Sequence, residues 1–267
     1  MKRMPTLYIS HGAGPCFFME MGPPFAPDAF DKMASYLRGI SGALEQRPRA
    51  VVVVSAHWEE KLPTVTMSAQ PSLIYDYIGF PEHTYHLQYP AAGDPALAAQ
   101  VCALLGDAGI VSAADAVRGF DHGVFVPFKL IYPQADVPII QLSLQRGLDP
   151  AAHLAIGRAL TPLRDDGVLI VGSGFSYHNL REFFDGRGDA ARRFDDWVNA
   201  AVTNPDIAMR DRQLLAWENA PSARACHPRE EHLLPLMVAA GAAGSDTGVR
   251  VYKDFILGKA VSGFQFG

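Results

Sequence analysis

Residues 50–58 read AVVVVSAHW, four consecutive valines closed by Ser55, Ala56, His57 and Trp58. A short β-branched run without polar alternation is the pattern of a strand buried on both faces, as in the middle of an α/β sheet. Residues 6–10 (TLYIS), 137–144 (VPIIQLSL) and 167–172 (GVLIVG) have the same character and are bounded by Pro, Gly or polar residues. Residues 249–255 supply a further strand. Between these runs, residues 28–44, 95–107, 150–164, 189–202 and 230–240 have helical period or composition, several of them opened by Asp or Pro. The alternation predicts an α/β sandwich.

The chain has 267 residues, 49% of them hydrophobic and 19% charged, with a formal net charge of −5. There is apolar material for a sizeable core, and no compositional break calls for a second domain, so one domain is expected. The negative balance argues against nucleic acid, whose binding needs clustered Lys and Arg; Arg192 and Arg193 are answered by Asp195 and Asp196. The longest near-apolar stretch, residues 233–244, is shorter than the ~20 residues of a membrane-spanning helix. With no charged-then-apolar leader, a cytoplasmic location is expected. Cys16, Cys102 and Cys226 are too widely spaced for a paired-thiolate metal site and are expected to be reduced thiols.

Nine histidines stand against those three cysteines. His11 directly follows the first strand, His57 follows the valine strand, and His178 lies a few residues beyond GVLIVG. Ligands in open α/β sheets gather at the carboxyl ends of strands, so these three can meet at one sheet edge. His11 and His57 read either as metal-ligand imidazoles or as strand-end histidines capping a loop, and His178 either as a residue over the same pocket or as a loop histidine hydrogen-bonded to Asn179. In Phe120-Asp121-His122-Gly123, His122 is a candidate acid/base group, while Asp121 could simply cap a helix over residues 124–131.

The stretch His227-Pro228-Arg229-Glu230-Glu231-His232 separates its histidines by five residues rather than the four of a zinc-protease helix. Pro228 there suggests a helix start with His232 in the first turn. His83 and His86 lie in an aromatic loop, residues 75–80, that could line an aromatic-substrate pocket or pack on itself. His153 falls in a polar helical pattern and is expected at the surface. Residues 172–174 (GSG) lack a dinucleotide fingerprint, and no G-x-S-x-G elbow occurs.

The blocks Ser10-His11-Gly12, VVVVSAHW, residues 75–80 with Tyr89-Pro90, GFDHG (119–123), residues 132–142, SYHNL (176–180) and HPREEHLLPL (227–236) resemble, in order and spacing, the class III extradiol ring-cleavage dioxygenases. Within that superfamily, which includes the protocatechuate 4,5-dioxygenase catalytic subunit, they are most similar to the 4,5-DOPA extradiol dioxygenase type. The resemblance covers nearly the whole chain. It implies a single catalytic domain over residues 1–267, a three-layer α/β sandwich with a central mixed β-sheet flanked by helices, and a metal site at strand C-terminal ends.

Carried over by position, the resemblance makes His11, His57 and His232 metal ligands, His178 the catalytic histidine and His122 a second active-site histidine. Where the wider superfamily commonly has glutamate as third ligand, this chain has His232, with Glu231 adjacent. Three neutral imidazoles suit non-haem Fe(II), expected for activity, and also Zn2+. The implied partners are a small aromatic diol and O2, both of whose atoms enter the ring to give a semialdehyde, with the protein a monomer or homodimer. A zinc-dependent hydrolase and a non-enzymatic binding protein of the Memo branch are the competing readings.

Overall fold

The structure, a computed structural model, describes residues 2–267. Its frame is one mixed eight-stranded sheet. In chain order the strands are β1 (Thr6–Ser10), β2 (Ala50–Glu60), β3 (Thr64–Thr66), β4 (Ala113–Asp115), β5 (Ile139–Gln145), β6 (Val168–Gly174), β7 (Gly248–Ile256) and β8 (Lys259–Phe266). In space they run β4-β3-β5-β2-β6-β1-β8-β7. The four central strands, β5, β2, β6 and β1, are mutually parallel, while β8 adds to β1 and β3 adds to β5 antiparallel. Val51–Val54, Leu169–Val171 and Ile139–Leu142 are essentially inaccessible to solvent, as two covered faces require.

The helices are α1 (Asp31–Ala43), α2 (Pro95–Asp107), α3 (His122–Ile131), α4 (Pro150–Leu160), α5 (Pro162–Asp165), α6 (Asp189–Val202), α7 (Ile207–Leu215), α8 (Ala223–Cys226) and α9 (Leu234–Ala243). Asp94 and Asp149 cap α2 and α4 by accepting from Leu97 N and Ala151 N, each with a proline in the first turn. The helix expected over 150–164 is two helices, because Pro162 cannot continue the ladder and Thr161 becomes the junction. The apolar stretch 233–244 is largely α9, all ten of whose residues are buried. A helix apolar on every side belongs in a core, and α9 packs on α4, β6 and β1. No helix among the described residues is long and apolar enough to cross a membrane.

One contact between helix and sheet sets up the site. A Cβ on Gly172 would lie 2.2 Å from Pro235 O, and one on Gly174 2.1 Å from His232 O. The two glycines of GSG therefore let the start of α9 and the turn before it rest on bare strand backbone. Ser173, between them, faces the opposite side of the sheet.

Candidate metal centre

β2 and β1 flank β6 in parallel register, Ser55 opposite Ser173 and Ser10 opposite Gly174. His11 follows β1, and its backbone N–H donates to Gly174 O at 3.1 Å. The chain leaves at once because Gly12 has φ +87°, where a Cβ would also strike Cys16 Sγ. His57 does not follow its strand as expected but lies inside it. The pairing of β2 with β5 jumps from Val54–Leu142 to Glu59–Leu144, so the intervening residues bulge out of the ladder and re-aim His57. The two histidines meet with Nε2 atoms 3.1 Å apart.

His232 arrives from the other direction. The helix expected to start at Pro228 starts at Leu234, with Pro235 in its first turn, and His232 occupies the preceding turn. Its carbonyl accepts from Tyr8 Oη at 2.8 Å and from Phe175 N at 3.1 Å, pinning that turn over β1 and β6. Its ring centroid is 5.3 Å from that of His11 and 4.8 Å from that of His57. His227, just after α8, takes another course. It donates from Nε2 to Ser176 O and is buried against Phe194 and Trp217, away from the cavity lining.

Two more imidazoles complete the cluster. His178 stacks on His232 with centroids 3.4 Å apart, and His122 lies 3.9 Å from His57. His178 does not bond Asn179, whose side chain instead donates to Ala225 O; its partner is Glu231. His122 is the first residue of α3 rather than a loop residue. Asp121 makes no side-chain cap to that helix: its buried carboxylate accepts from Ser55 Oγ, Gln141 Nε2 and Arg118.

Two carboxylates organise these rings. Glu231 Oε1 is 3.1 Å from His178 Nδ1 and 3.0 Å from His232 Nδ1. Asp76 Oδ1 accepts from both the backbone N–H and Nδ1 of His122, at 2.9 and 2.8 Å, and Asp76 Oδ2 faces His57 Nδ1 at 3.8 Å. Asp76 escaped the sequence reading, hidden between Tyr75 and Tyr77 in the aromatic loop. It reaches His122 because Leu73 bridges Phe120 and Ile74 N donates to Phe120 O, which zips the loop onto the approach to α3.

These partners assign the tautomers. A carboxylate can only accept, so His122, His178 and His232 each carry a proton on Nδ1, which leaves Nε2 as the nitrogen turned to the cavity. At His11, Nδ1 meets Ser173 Oγ at 3.1 Å; that hydroxyl already donates to Gly123 O, so it accepts from His11 and leaves Nε2 unprotonated. Burial, reinforced by the neighbouring imidazoles, holds His11 and His232 well below the ordinary histidine range and His57 at about 3. Burial also opposes the charge on Glu231 and Asp76. The bonds from His178 and His122 outweigh it, and both carboxyls stay below their usual range.

The donor set fits a divalent transition metal. His11, His57 and His232 place one ring nitrogen each within 4.8 Å of the others. The two facing Nε2 atoms are spaced as two ligands of one ion should be, about 3.0–3.4 Å for metal–nitrogen bonds of about 2.1 Å. A cation there would also take up the unprotonated Nε2 of His11. His57 with Asp76 and His122, and His178 with Glu231 and His232, form two flanking groups of the same kind.

The five imidazoles of His11, His57, His122, His178 and His232 line one cavity of about 260 Å³. The aromatic loop partly packs on itself, with Tyr75 and Tyr77 donating to Leu87 O and Thr84 O, and partly serves the cavity through Phe80. His83 and His86 are exposed, bonded to Phe18 O and Glu82. His153, expected at the surface, is fully buried. Its Nδ1 donates to Asp149 O and its Nε2 accepts from Gln145 N, tying α4 to the end of β5.

Residues 5–262 match the family described as the catalytic LigB subunit of aromatic ring-opening dioxygenase. The chain is 39% identical to the dioxygenase tasH of Hapsidospora irregularis over 100% of this chain and 86% of that protein. It is 38% identical to a 4,5-DOPA dioxygenase extradiol of Beta vulgaris, over 91% and 88% of the two chains. A crystal structure of an uncharacterized Escherichia coli K12 protein superposes with a TM-score of 0.79 at 30% identity, covering 99% of this chain and 100% of that one.

Proposed function

The chain belongs to the family of the catalytic LigB subunit of aromatic ring-opening dioxygenases, and from that membership we propose that it is a metal-dependent extradiol dioxygenase. It inserts both atoms of O2 into a catechol-type ring and releases a ring-opened semialdehyde. The observation that carries the reading is the common anchoring: His11, His122, His178 and His232, each held at Nδ1, turn Nε2 to one cavity. The DOPA in the names of several relatives makes a substituted catechol the natural substrate class.

His11, His57 and His232 would hold the ion. Fe(II) bound there supplies a Lewis acid for the diol and the redox chemistry that brings O2 to the ring. Zn2+ suits the same three nitrogens and competes for them.

His178 is the first base. Its Nε2 lone pair accepts the proton of a catechol hydroxyl, and Glu231 at its Nδ1 stabilises the imidazolium that results. The same proton returns to the departing oxygen as the ring opens. His122, held likewise by Asp76, takes the second hydroxyl proton and then donates to the oxygen where negative charge develops. The phenyl-lined walls limit access of water to these groups. The reading takes residues 1–267 as one catalytic domain acting in the cytoplasm, as a monomer or homodimer.

Anaerobic reconstitution with Fe(II), followed by oxygen uptake with a panel of catechols, tests this reading. One O2 consumed per catechol with a coloured semialdehyde is expected; no uptake with any catechol at stoichiometric Fe(II) would refute it.

A further inference from the structure

Resting on that dioxygenase reading, we propose that the site takes a catechol whose substituent is uncharged and apolar, rather than one bearing a carboxylate. Apart from the imidazoles, the cavity is lined by Gly12, Ala13 and Gly14 and by an aromatic wall, with no Lys, Arg, Asp or Glu among its described lining residues. The wall is continuous: Phe25 lies 6.4 Å from Phe183 and 5.7 Å from Phe184, and Phe175 lies 6.3 Å from Phe183. Phe80 and Leu180 complete it. Leu180 and Phe184 are 64% and 57% exposed, so the rim is apolar as well as the interior.

The polar end of the cavity does not compensate. The histidines that line it are anchored at Nδ1 by Ser173, Asp76 and Glu231, and no lysine or arginine joins them in the described lining. The buried cations of the molecule are committed elsewhere. Arg164 bonds Asp246, Arg210 bonds Asp211, and Lys259 bonds Asp185. A carboxylate pressed against phenyl faces loses hydration and gains no partner, whereas an alkyl chain gains burial. At about 260 Å³ the cavity is small beside the about 300–1,000 Å³ of sites for drug-sized ligands.

The test compares 4-propylcatechol with 3-(3,4-dihydroxyphenyl)propanoate and DOPA, ligands of similar length that differ in charge. Two readouts are taken: kcat/KM for oxygen uptake by the Fe(II) protein, and Kd by calorimetry under argon on the Zn(II)-loaded protein. Both should favour 4-propylcatechol by at least about tenfold. Leu180→Arg, at an exposed rim position where folding is not at stake, should narrow the ratio by improving the carboxylates. Equal or better binding or turnover of either carboxylate overturns the proposal, as does failure of every catechol to bind. A preserved tenfold preference in Kd with no oxygen uptake leaves the proposal standing and removes the dioxygenase reading instead.

Discussion

The imidazoles of His178 and His232 stack with centroids 3.4 Å apart and planes inclined by 17°, and one oxygen of Glu231 lies about equally close to the Nδ1 of each. A proposed ligand and a proposed base thus share a single anchor. Rotation of either ring disturbs the other.

Replacing that anchor should weaken both functions. Glu231→Gln keeps the size of the side chain but no longer presents an anionic acceptor to two N–H donors. Metal affinity should fall about 10–100-fold, measured by competition with a chromogenic chelator. If Glu231 were instead a direct ligand, loss of the ion would be near complete.

The two stacked histidines should separate under mutation. His232→Ala should lose most bound metal, whereas His178→Ala should retain most of it and lose turnover by about 10²–10⁴-fold, the range of acid–base catalysis. Metal analysis beside oxygen uptake distinguishes them; equal metal loss in both variants would make His178 a ligand.

Asp76 should matter through His122. Asp76→Asn removes the anion that fixes the His122 tautomer and supports its protonated form, while its contact with the proposed ligand His57, 3.8 Å from Nδ1, is too long for a hydrogen bond. The expected result is retained metal with kcat reduced about 10²-fold and the acid limb of the pH–rate profile displaced. An unchanged profile would leave Asp76 with only a loop-closing role.

Acid should destabilise the metal-free protein through its buried neutral histidines. Burial holds His227 at about 4 against an ordinary value of 6.5. The unfolded chain therefore binds more protons between those values, and stability is lost as pH falls from 6.5 towards 4, with little further change from this group below that. The loss is about 1.4 kcal/mol per pH unit, or ~3 kcal/mol over the window. Urea denaturation across pH should show it, and His227→Gln, which keeps a donor for Ser176 O, should have a shallower slope.

Much of the frame was legible because it is written locally. The β-branched runs at β1, β2, β5 and β6 and the proline-led boundaries of α2 need no knowledge of neighbours. β3 and β4 were missed because strands of three residues carry no period, and β8 because Ser262 and Gly263 interrupt its apolar pattern. The histidines stood out by their places after strands. Asp76 gave no such signal, since an acidic residue between tyrosines looks like any loop residue until Leu73 bridges Phe120.

The sequence by itself determined the fold class, most of the central strands and the family resemblance, because these depend on local pattern and on the order of motifs. Only the tertiary structure decided which nitrogen of each imidazole faces the cavity, that His153 is buried, that His227 turns away, and that Asp76 and Glu231 each serve two rings. Those are non-local facts. A side chain's burial and proton position follow from partners tens or hundreds of residues distant, as with His11 and Ser173, which parallel strand pairing alone brings together.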